Sequence, residues 1–277
     1  MEEIYSKGNV IKSFFWKLLE RFSVQGLSLC ITLVLARILS PSDYGTVAII
    51  TVFVNLANVI IDGGLNTALI QKKDTDSLDY STIFFSSILL SIVLYALLYV
   101  TSPWIAEFYD IPELVDMIRI LGVILVFEAV NSIQRAYVSK MMLFRKLFYS
   151  SFFALLVSGS LGIYMALNDY GVWALISQQM TCVLVTIIIM WFTIKWRPIL
   201  AFSFERFKKL FDYGWKIFGL NFITTLYLNI RSLIIGKFYS PADLAFFERG
   251  HTLSSMVVQN INTSLQTILF PVLSNSQ

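Results

Sequence analysis

Apolar residues fall in runs of about 20 along this chain, separated by short polar turns. That spacing predicts membrane-crossing helices rather than the roughly 10-residue alternating strands of a barrel. Eight helices are expected, over residues 18–38, 44–70, 80–101, 114–138, 148–167, 172–194, 211–235 and 246–270. Residues 1–17 differ: Lys7, Lys12 and Lys17 alternate with Phe14, Phe15 and Trp16, the pattern of an amphipathic segment lying on a membrane surface. Pro103-Trp104 marks an interfacial helix end, and Asp62-Gly63-Gly64 reads equally as a kink or as a simple helix end.

Several runs carry a polar stripe at helical spacing. Asn55, Asn58, Asp62 and Asn66 share one side of the second helix, and Arg21, Gln25, Ser28 and Thr32 one side of the first. Glu128, Asn131 and Arg135 do so in the fourth, Asn221, Thr225, Asn229 and Ser232 in the seventh, and Ser255, Gln259, Asn262 and Gln266 in the eighth. The sixth is intermediate, with Gln178 and Gln179. A polar group facing lipid is costly, so these faces turn to a hydrated cleft or to each other. With so many stripes, the cleft is the preferred expectation. It makes Arg21, Gln25, Asn55, Asn58, Asp62, Glu128, Asn131, Arg135, Lys216, Asn221, Gln259 and Asn262 the candidate cavity residues. Arg21 is expected to pair with Asp62, because a buried charge needs a partner. Arg119, Arg231, Glu248 and Arg249 fall toward the outer end, where charges also snorkel.

The chain repeats itself. Arg37-x-x-Ser40-Pro41-x-Asp43 returns as Lys237-x-x-Ser240-Pro241-x-Asp243, and Phe15-Trp16-Lys17 is echoed by Gly214-Trp215-Lys216. An internal repeat of this length predicts two lobes. Residues 18–198 form a first lobe of six helices, preceded by the 1–17 segment, and residues 199–277 begin a second lobe with two helices. Six crossings return the chain to its starting side, so the repeat is parallel. The same period carries the second lobe to about residue 400, so a chain ending at Gln277 is expected to be a fragment or a truncated product.

Composition agrees. Charged residues are 14% of the chain, against about 25% in soluble domains, which makes this an all-α integral membrane protein. The net charge of +3 is too small to argue for nucleic acid. Its placement says more: Lys72, Lys73, Lys140, Arg145, Lys146, Lys195, Arg197, Arg206, Lys208 and Lys209 all fall on the side of the N-terminal lysines. Only Arg37 and Lys237 fall on the other. The positive-inside rule therefore places the N-terminus in the cytoplasm. Segment 195–210 mixes basic and aromatic residues and is expected to lie on the anionic inner leaflet. Cys30 and Cys182 lie inside apolar runs and read as small apolar residues. His251 has no metal-ligand spacing around it, and the chain has no Walker loop, so no cofactor, metal or enzymatic activity is expected.

The segments ARILSPSDYG, DGGLNTALIQKKD, IAEFYDIPEL, GVWALISQQM, SFERFKKLFDYGWKIFGLN and FYSPADLAFFERG resemble the polysaccharide transporter family over nearly the whole chain. These are the bacterial flippases for lipid-linked O-antigen, capsule and related repeat units, in the superfamily of multidrug and toxin extrusion antiporters. The resemblance implies a two-lobe fold of that kind. It implies a polyprenyl-diphosphate-linked oligosaccharide as substrate, carried by alternating access across the bacterial inner membrane. Membrane lipids, a polysaccharide polymerase and glycosyltransferases are the implied partners. Arginine forks suit a diphosphate, so Arg21, Arg135 and then Lys216 are its expected partners. Two other readings stand beside this one: a drug or cation antiporter, which wants a carboxylate-dominated cavity, and a truncated, non-transporting scaffold.

Overall fold

A computed structural model describes residues 7–72 and 74–252. The described residues form an all-α membrane protein: α1 Lys7–Ile38, α2 Pro41–Asp62, α3 Leu65–Gln71, α4 Ser77–Tyr109, α5 Leu114–Gly122, α6 Ile124–Lys140, α7 Phe144–Leu167, α8 Val172–Thr193 and α9 Phe204–Phe238. A further helix, α10, covers 241–252. Six of these, α1, α2, α4, α7, α8 and α9, are individually long and apolar enough to cross a membrane.

The repeat turn is built the same way twice. Before α2, Ser40 caps the helix and Asp43 reaches back to the Ser40 N–H (3.0 Å) and hydroxyl (2.7 Å). Before α10, Asp243 does the same to Ser240 at 3.1 Å and 2.6 Å. Such a reciprocal cap satisfies amides at the helix start that no preceding turn can, and those bonds hold the Asp243 carboxyl below its ordinary range.

Several expected boundaries move. Helix α1 runs unbroken from Lys7 to Ile38, so residues 7–17 are helical and continuous with the first crossing-length stretch, Phe14–Ile38. The expected helix 44–70 is broken: Gly63 (φ 50) and Gly64 (φ 68) take left-handed backbone, and α3 restarts beyond them. Close approach adds to the need for glycine here, since a Cβ on Gly64 would lie 2.3 Å from the Gly214 carbonyl oxygen of α9. Pro103 does not end α4. A proline removes the N–H that would reach the Tyr99 carbonyl, and the Ser102 hydroxyl takes that carbonyl at 2.8 Å, so the helix continues to Tyr109. The expected helix 114–138 is divided at Val123 into α5 and α6, and neither half alone has the length to cross. Helix α9 absorbs part of the expected link, starting at Phe204. Of the eighth expected helix, only its beginning lies within the described residues.

Packing sets which helix is central. Helix α2 meets α4, α6, α8 and α9, whereas α1 lies against α7, and α7 against α8. Half of the most apolar window of α2 is buried, but only 11% of that of α1 and 6% of that of α9, so those two are the most exposed of the six crossing-length helices. At the basic end, the fully buried Asp79 carboxylate accepts from Lys72 Nζ (2.6 Å) and Arg206 Nη1 (3.2 Å). Arg206 also pairs with Asp76 and holds that carboxyl below its usual range. Lys140 Nζ donates to the carbonyls of Leu69 (3.0 Å) and Lys72. These bonds tie α3, α4, α6 and α9 together at one end of the bundle.

Candidate functional site

Two polar cavities lie along α2. The first, of 470 Å³, is nearer the basic end and is lined by Asn58, Asp62 and Asn66 from α2 and α3 and by Glu128, Ser132 and Arg135 from α6. Helical spacing puts each set on one face, and packing of α2 and α3 against α6 brings the two faces together. Arg135 Nη2 stands 3.4 Å from Glu128 Oε2, two turns earlier on the same helix. Between them, Asn131 is fully buried. With its amide oxygen turned to the guanidinium, it accepts from Arg135 Nη2 at 2.8 Å and Nε at 3.2 Å. Across the cavity, Asn66 Nδ2 donates to Asp62 Oδ1, and the Asn66 amide oxygen is buried without a partner.

The second cavity, of 260 Å³, lies toward the opposite end of α2. Five helices line it, among them α1 through Thr32, α2 through Tyr44, Thr51 and Asn55, and α8 through Gln178 and Gln179. Asn229 of α9, with Glu248 and Arg249 of α10, completes its polar wall. Asn55 and Asn58, one turn apart, thus open into different cavities. Gly162 of α7 makes room for Gln178, since a Cβ there would come within 3.1 Å of the glutamine Cβ. Asn229 gives one amide hydrogen to the Thr225 carbonyl at 2.8 Å.

Among the twelve expected cavity residues, Asn58, Asp62, Glu128 and Arg135 line the first cavity, with Asn131 behind them, and Asn55 lines the second. Arg21 and Gln25 are half-buried on α1 and line neither, while Lys216 and Asn221 are exposed on α9. Gln259 and Asn262 lie outside the described residues. The expected Arg21–Asp62 ion pair does not form: α1 packs on α7, and Asp62 takes Asn66 instead. Tyr44, Thr51, Glu248 and Arg249 were not among the expected site residues, nor were Gln178 and Gln179, although that glutamine pair was the visible polar signal on its helix.

Chemically, the first cavity sets two carboxylates, Asp62 and Glu128, against one guanidinium, Arg135. The second is mainly amide and hydroxyl, groups that donate to and accept from hydroxylated ligands.

Comparisons with known proteins come from sequence. The teichuronic acid biosynthesis protein TuaB of Bacillus subtilis (strain 168) is 27% identical over 224 residues, covering 80% of this chain and 46% of the relative. The succinoglycan biosynthesis transport protein ExoT of Rhizobium meliloti (strain 1021) is 21% identical over 262 residues, 95% of this chain and 53% of its own. The lipopolysaccharide biosynthesis protein WzxC of Escherichia coli (strain K12) is 22% identical over 264 residues, 95% and 54%. The chain thus spans about half the length of these relatives. No solved structure matches it significantly. The model of the polysaccharide biosynthesis protein family matches residues 34–277, from the end of α1 through both cavities, and the chain belongs to that family.

Proposed function

We propose that this chain forms the first lobe and the start of the second in a flippase for a polyprenyl-diphosphate-linked oligosaccharide. The movement runs from the cytoplasmic to the outer leaflet of a bacterial inner membrane, in the synthesis of a surface polysaccharide. The observation that carries this reading is the pair of polar cavities stacked along α2 in a member of the polysaccharide biosynthesis protein family. The names of the relatives point the same way, one of them being called a transport protein. Residues 18–198 serve as the complete lobe and 199–277 as part of the next. The distribution of lysine and arginine supports a cytoplasmic N-terminus. The carrier-linked sugar and membrane lipids are the immediate partners, with a polymerase and glycosyltransferases acting before and after.

One observation favours a second reading, a cation or drug antiporter: the first cavity holds more carboxylate than guanidinium. Deleting the gene and following the carrier-linked oligosaccharide separates the two. A flippase leaves it accumulated on the cytoplasmic leaflet, relieved by re-expression. An antiporter leaves it untouched and instead lowers dye efflux. Unchanged oligosaccharide translocation in the deletion strain refutes the proposal.

A further inference from the structure

The second cavity holds a cation, Arg249, beside a carboxylate, Glu248, that is bonded elsewhere. Arg249 makes no ion pair among the described residues. Its guanidinium lies 4.3 Å over the Tyr44 ring, a contact that fixes its plane. The Tyr44 hydroxyl is buried in the same wall beside Arg249, and its O–H has no acceptor, a position that a bound oxygen can fill. Glu248 also lines this cavity, but its carboxylate is engaged by the Ser232 hydroxyl of α9. Arg135 in the first cavity is differently placed, beside Glu128 and facing Asp62. An anion entering there meets two carboxylates. One entering the second cavity meets a fork of N–H donors, an O–H donor and a single carboxylate already held by Ser232.

We propose that Arg249 and Tyr44 form an oxyanion subsite, distinct from the two-carboxylate cavity around Arg135. Its ligand is a phosphate or carboxylate oxygen, supplied either by the carrier's diphosphate or by an acidic sugar. The identity of the source rests on the flippase reading; the anion site itself does not. The cavity volume of 260 Å³ is below the roughly 300–1,000 Å³ of most small-molecule pockets. It therefore suits one anionic group with an adjoining sugar ring, whose hydroxyls the Asn55 and Gln178 amides can meet.

The test uses the full chain in lipid nanodiscs and three probes: inorganic pyrophosphate, a uronate-bearing oligosaccharide, and the same oligosaccharide with its carboxyl reduced to an alcohol. At least one anionic probe should bind, and Arg249→Gln should weaken it tenfold or more. Tyr44→Phe should weaken it several-fold, and Arg249→Lys should restore part of the loss. Arg135→Gln should leave it within twofold of the parent. Binding of pyrophosphate assigns the subsite to the diphosphate, and preference for the uronate over its reduced form assigns it to an acidic sugar. Loss of anion binding in Arg135→Gln but not in Arg249→Gln overturns the proposal, as does failure of both anions to bind. Anion binding through Arg249 in a protein that translocates no lipid-linked oligosaccharide refutes the flippase reading and leaves the subsite standing.

Discussion

Alanine at position 64 tests whether the contact of the α2–α3 break with α9 governs the stability of the bundle. Two costs combine there. Gly64 has φ 68, a conformation that costs an L-residue about 1–2 kcal/mol. The new Cβ would also stand 2.3 Å from the Gly214 carbonyl oxygen and 3.0 Å from its carbon, both backbone atoms that cannot rotate away. The break and α9 must separate by about 1 Å to restore ordinary contact, and overpacking of this kind costs about 1–3 kcal/mol more. The expected loss is therefore about 2–5 kcal/mol. Gly63→Ala isolates the first cost: its φ is 50, but its nearest neighbour would be an ordinary 3.5 Å away, so about 1–2 kcal/mol is expected. Gly26→Ala, in the middle of α1 with nothing within 4 Å, should stabilise by about 0.5–1 kcal/mol through helix propensity alone. Thermal unfolding midpoints in nanodiscs should rank Gly26→Ala above the parent, then Gly63→Ala, then Gly64→Ala. If the variants at 63 and 64 lose stability equally, the close approach to α9 contributes nothing and the reasoning fails.

Three further expectations concern the basic end and α4. Asp79→Asn removes the buried acceptor of Lys72 and Arg206; with both partners partly solvated, the loss should be about 2 kcal/mol, read as faster amide exchange at the start of α4 while α7 and α8 are unaffected. Because the Arg206 hydrogen bond lowers the folded Asp76 pKa, its contribution is complete above the unfolded value of about 3.9 and fades as pH falls through the lower folded value. Spin labels flanking Asp76 and Arg206 should accordingly keep their separation between pH 5 and 8 and drift apart only in stronger acid; drift near neutrality would contradict the assignment. Ser102→Ala strips the Tyr99 carbonyl of its donor and Arg119 Nε of its 3.1 Å acceptor, for a loss of about 1–3 kcal/mol in chemical unfolding, whereas Ser102→Thr should keep most of it.

What the sequence determined by itself was local. Run length placed six of the eight expected crossings, the Ser-Pro-x-Asp spacing marked a repeated turn, and helical periodicity put Asn58 with Asp62 and Glu128 with Arg135 on single faces. The Ser102 rescue of α4 was not legible, because Pro103 signals a break unless a hydroxyl happens to point back along the helix. Which face meets which was decided only by tertiary packing. Arg21 and Asp62 look like partners in sequence, yet α1 lies against α7 and the pair never forms. Lys216 and Asn221 carry the right chemistry on an exposed side of α9, while Tyr44 and Arg249, far apart in the chain, stack at 4.3 Å. Periodicity fixes the angle of a side chain about its own helix axis; the neighbour at that angle follows from how the described helices pack against one another, a sum over many segments that no single one encodes.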